Sequence, residues 1–188
     1  MGVYKMHTYK KIILTFFVLG SAISCTTSSI PQSPKLGQAM SPEELKKIDI
    51  SIGPDGIGLP VGSGNAKLGA KVYQAKCLSC HGEKGQGKPV DALVGGIGSL
   101  SSNKPVRTVG SFWPHASTLF DYTRRAMPLQ SPKSLTNNEV YAVSAYILFL
   151  NGIISEDYEL SNQNLAQIKM PNHDGMIDFS KEKAVVYK

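Results

Sequence analysis

The sequence predicts an all-α domain over residues 61–152, carried on an N-terminal tether and followed by a C-terminal extension. Three observations predict it. Apolar residues recur at helical spacing after Asn65, a second helical run over 117–126 stops at Met127-Pro128, and a third occupies 137–150. A chain of 188 residues suits one domain of ordinary size with appendages. Hydrophobic residues at 41% permit a packed core, while 18 glycines and 11 prolines assign much of the chain to loop. The 3 cysteines, at positions 25, 77 and 80, cannot build a disulfide framework without a remainder.

Residues 1–24 read as a signal peptide. Lys5, Lys10 and Lys11 lead into an apolar run from Ile12 to Leu19, and the small side chains Ala22 and Ser24 precede Cys25. That run is too short to cross roughly 30 Å of hydrocarbon as a helix; an uncleaved anchor is the competing reading. These three lysines are half of the formal net charge of +6. With no arginine-rich stripe elsewhere, no nucleic-acid partner is expected. Cys25 would head an exported, periplasmic chain and resembles the lipid-modified cysteine of bacterial lipoproteins, although Ala22 stands where that family usually has leucine. Residues 25–60 are therefore expected to be a lipid-anchored flexible tether to the membrane; plain secretion with a spare thiol is the alternative. Thr26 to Pro34 is small, polar and proline-broken, too poor in apolar surface to fold. Within the tether, Ser41-Pro42-Glu43-Glu44 starts a short helix that Gly53-Pro54-Asp55-Gly56 ends.

Asn65 can cap a helix through Lys67 to Ala75, with Leu68, Val72 and Ala75 on one face and Gly69 and Tyr73 beside them. Glycine weakens a helix but allows a second helix to come close. This helix delivers Cys77-Leu78-Ser79-Cys80-His81-Gly82, the attachment signature of a c-type haem. Two thiols separated by two residues on a helical turn reach the two vinyl groups of one porphyrin, and the adjacent imidazole projects toward the iron. A thioredoxin-like motif would need a strand before the cysteines and a helix after them, whereas here a helix precedes and a Gly/Pro loop follows. A zinc site would want a second Cys/His pair, which the chain lacks. A ligating His usually donates its other ring N–H to a carbonyl or carboxylate, and the Pro89 carbonyl is the expected acceptor.

The sixth iron ligand must come from farther along. The helix 117–126 ends where Met127 is pushed toward extended geometry by Pro128, which sets a thioether at a non-helical corner. Met127 is thus the expected ligand. Met170-Pro171 shares the dipeptide but lies in a polar tail; His115 or water on the iron would leave Met127 as a core methionine. With His81 and Met127 both on one covalently bound haem, the iron has no open site, so the domain should carry single electrons rather than catalyse. Thr136 and Glu139 form a capping box for the last long helix, whose stripe is Val140, Val143, Ile147 and Leu150 and whose end is Asn151-Gly152. It is expected to cross the Gly69/Tyr73 helix. Residues 153–188 then turn polar, a strap or irregular tail with a strand-like Ala184-Val185-Val186-Tyr187.

Gly69-x-x-x-Tyr73, Cys77-x-x-Cys80-His81-Gly82, Met127-Pro128 and the helix 137–150 together resemble class I cytochrome c over residues 61–152. The run from Val109 through Trp113-Pro114-His115 to Arg124-Arg125-Ala126-Met127-Pro128 is similar to the cytochrome subunits of sulfite dehydrogenases and of the Sox system. Those relatives commonly have tyrosine where His115 stands. The resemblance implies helices packed around one haem, and a molybdopterin sulfite dehydrogenase partner that delivers electrons to it. A soluble cytochrome c or a terminal oxidase would be the acceptor. It also sets Trp113, Arg124 and Arg125 beside the haem, with Trp113 on the porphyrin and one arginine on a propionate. A free-standing tethered cytochrome serving another respiratory enzyme, and a haem enzyme with an exchangeable sixth ligand, are the other readings.

Overall fold

The computed structural model describes residues 37–177, and residues from Pro42 onward make one unit. In chain order the elements are α1 (Pro42–Ile48), β1 (Ser63–Gly64), α2 (Ala66–Lys76), α3 (Leu78–His81), α4 (Val109–Phe112), α5 (Ala116–Ala126), α6 (Asn137–Leu150) and β2 (Leu160–Ser161). A 3-10 turn follows at Leu165–Gln167. The fold is all-α, as expected; its sheet is one antiparallel pair, Ser63 with Ser161 and Gly64 with Leu160. Among the described residues no helix is long and apolar enough to cross a membrane. The signal peptide, Cys25 and Ala184–Tyr187 lie outside the described residues.

Local chemistry sets the helix limits. The Asn65 side chain accepts the Leu68 N–H at 3.1 Å and starts α2. Thr136 and Glu139 close the reciprocal capping box of α6, and the same device, Thr108 with Ser111, starts α4. The sequence reading did not foresee α4, because four residues are too few for periodicity to show.

The expected crossing of α2 and α6 forms at Gly69 and Tyr73, while two residues of the apolar stripe beside them stay out of it. Ala66, Gly69 and Tyr73 are buried, while Leu68 is 52% exposed and Ala75 is exposed. A Cβ on Gly69 would stand 1.9 Å from the Ala142 carbonyl oxygen, so the backbones touch where the side chain is missing. Backbone proximity outranks the larger apolar area of Leu68, because close helix contact buries every atom along the seam. Phe120 and Tyr141 pack at 4.4 Å between α5 and α6 and fill the centre.

The packed unit reaches beyond residues 61–152 at both ends. Ile52 and Leu59 lie against the core, the Ser117 hydroxyl donates to the Pro54 carbonyl at 3.2 Å, and the Tyr141 hydroxyl donates to the Pro60 carbonyl at 2.8 Å. After α6, Leu160 and Leu165 are wholly buried and Met170 is 1% exposed. The extension is therefore part of the core up to Met170.

Candidate functional site

The Tyr73–Cys77 and Leu78–Gly82 backbone bonds, 2.8 and 2.9 Å, carry the chain from α2 through the turn of α3. That turn presents Cys77, Cys80 and His81 to one cleft of about 370 Å³. Helix α5 ends at Met127 in extended geometry, φ −118 and ψ 146, its N–H still held by Thr123 at 3.1 Å. Met127 lines the same cleft, as do Leu93, Val109, Leu119, Val143 and Ile147. The volume falls in the roughly 300–1,000 Å³ of cofactor pockets.

This donor set fits a c-type haem. Both cysteines are free and half-buried, and they share the cleft with an imidazole and a thioether, within walls that are mostly apolar. Burial pushes the Cys77 thiol up to about 11, so at neutral pH it is an uncharged sulfur suited to an apolar site. Two rival readings fit less well. Helix α2, not a strand, precedes the cysteines, and no group of three or more His, Cys, Asp or Glu among the described residues could hold a metal ion.

The orientation of His81 departs from expectation. Its Nδ1 lies 3.3 Å from the Asp91 carbonyl, not that of Pro89, and Pro89 does not line the cleft. The loop explains this. The Lys88 N–H donates to the Val90 carbonyl at 2.8 Å and the Val90 N–H to the Cys80 carbonyl at 3.3 Å. Pro89 is thereby left in a tight turn, and the chain after it brings the Asp91 carbonyl to the ring. Asn151, the C-cap of α6, steadies the next residues: it accepts the Gly95 N–H at 3.1 Å and donates to the Leu93 carbonyl at 3.2 Å. No sequence signal linked Asn151 to that loop.

Trp113 lines the cleft and meets Tyr122 edge-on at 5.8 Å. Arg124 and Arg125 do not line it. Helix α5 turns Leu119, Tyr122 and Thr123 inward, and positions 124 and 125 rotate away from that face. Arg125 is engaged by Asp121, one turn earlier on the helix. The arginine at the cleft is Arg107, whose guanidinium stands 5.4 Å from the Phe112 ring centroid. The sequence reading missed it, since Arg107 precedes a helix too short to detect. The two rival ligands are elsewhere: Met170 is in the core, and His115 faces the His173 ring at 5.5 Å.

The chain is similar to known proteins over the helical unit that carries the cleft. The family described as cytochrome c oxidase, cbb3-type, subunit III, matches residues 64–147. The crystal structure of the sulfane dehydrogenase SoxCD from Paracoccus pantotrophus contains a similar chain, 36% identical with a TM-score of 0.71. The match covers 82% of this chain and 81% of that one. No curated protein matches the sequence.

Proposed function

Because the chain belongs to the class I c-type cytochromes, we propose that it is the single-haem electron carrier of a molybdenum-dependent sulfite dehydrogenase. It would work in the periplasm, tethered through a lipid on Cys25, and pass electrons to a soluble cytochrome c or a terminal oxidase. One observation carries the reading: Cys77, Cys80, His81 and Met127 line one apolar cleft. When bound, haem c supplies a one-electron iron couple. Cys77 and Cys80 would hold it by thioethers, and His81 and Met127 would ligate its iron. The Asp91 carbonyl, accepting from Nδ1–H, orients the ring and leaves Nε2 free for metal. The Met127 thioether would favour the reduced state and raise the potential. With both protein ligands in place no position would remain for substrate, as suits a carrier. Arg107, rather than Arg124 or Arg125, offers a guanidinium to a carboxylate at the cleft, and Trp113 walls it.

The likeness to SoxCD favours a second substrate reading, a sulfane sulfur in place of sulfite. The native protein, isolated with any molybdopterin partner, separates the two. Sulfite-dependent reduction of the haem is the expected result. Reduction only by a sulfane-bearing substrate supports the second reading. If no copurified partner reduces it with either compound, the dehydrogenase assignment goes, and a free-standing cytochrome remains.

A further inference from the structure

We infer that residues 160–174 form a strap that holds the Phe112–Trp113 wall of the cleft, with Asn172 as its positioning residue. The inference rests on the reading of the cleft as a haem site ligated by Met127. The strap is anchored first: Leu160 pairs with Gly64, and Leu165 and Met170 are buried. It then runs along the segment joining α4 to α5. Lys169 bridges His115 in antiparallel fashion, and the His173 ring meets the His115 ring edge-on. The Asn172 Nδ2 donates to the Phe112 carbonyl at 2.7 Å.

That carbonyl is the last of α4. The final carbonyls of a helix have no acceptor role left within it and need an outside donor. Trp113 has already left helical geometry, at φ −72 and ψ 127, and Pro114 carries no N–H. Asn172 supplies the missing donor. Phe112 and Trp113 both line the cleft, and Trp113 touches Tyr122, on the helix that ends at Met127. Asn172 does not line the cleft, so it acts through this series of contacts.

The test uses the full-length holoprotein with N172A and N172D; the aspartate keeps the size of the side chain and loses its donor. Two quantities are followed: the rate at which added imidazole displaces the Met127 thioether in the oxidised protein, and the emission of Trp113, the single tryptophan. Both variants should accelerate displacement about two- to tenfold, the loosening expected for one lost hydrogen bond. Trp113 should brighten as its wall moves from the quenching haem. If N172A fails to load haem, N172D decides. Unchanged rate and emission in haem-loaded variants overturn the strap alone. A wild type without haem or Met127 ligation overturns the cleft reading, and the strap with it.

Discussion

Tyr73 and His81 illustrate how single side chains connect the core to the candidate ligands. The Tyr73 hydroxyl donates to the Gly82 carbonyl at 2.8 Å, and burial pushes its pKa up to about 12, so the phenol stays a donor at any working pH. It fixes the residue after His81 from within the core. Met127 is the residue with the largest expected chemical consequence. M127A should lower the midpoint potential, because the thioether no longer favours reduced iron, and should let carbon monoxide bind the reduced protein rapidly. Potentiometry and a carbon monoxide difference spectrum check both. Cys77, Cys80 and His81 were legible in the sequence because attachment chemistry needs particular residue types at particular spacing, and Met127 because Pro128 stops its helix there. Asp91 and Arg107 were not, since a carbonyl has no residue signature and the path of a glycine-rich loop is set by contacts with α3 and α6.

Elements depend on caps and on where backbones meet. The Glu139 carboxyl is held below its ordinary 4.5, first by the Thr136 N–H and then by its hydroxyl and Lys76. A depressed folded pKa stabilises above the unfolded value and loses its effect as pH falls through the folded one. E139Q keeps the cap acceptor but loses the charge facing Lys76 and the helix N-terminus, and should therefore cost about 0.3–1 kcal/mol at neutral pH. That difference should fade in thermal melts taken below pH 4.5. At the α2–α6 crossing, G69V would press side-chain atoms into the Ala142 carbonyl. Overpacking of this kind costs about 1–3 kcal/mol, and denaturant titration of the holoprotein should show at least that loss. Capping boxes were readable because their partners sit three residues apart. The exposure of Leu68 was not, because the buried face of α2 is chosen by α6, more than sixty residues away in the chain.

At the scale of the whole molecule, the stretch after α6 is tied into the core by Leu160, Leu165 and Met170. L165A should lower stability by about 2–5 kcal/mol, as for any large side chain truncated in a packed interior, and calorimetry of the holoprotein should detect it. An exposed tail would show no change. The sequence by itself determined the all-α class, the limits of the three long helices and the candidate attachment set. Each depends on residues within a turn or two of one another, or on a motif whose chemistry allows few alternatives. Only the tertiary structure decided that Leu68 stays exposed beside Gly69, that Asp91 meets His81, that Arg107 borders the cleft, and that the C-terminal segment reaches Phe112. Those outcomes are settled by packing between distant segments, where backbone approach and unpaired carbonyls choose the partner and local periodicity has no information about it.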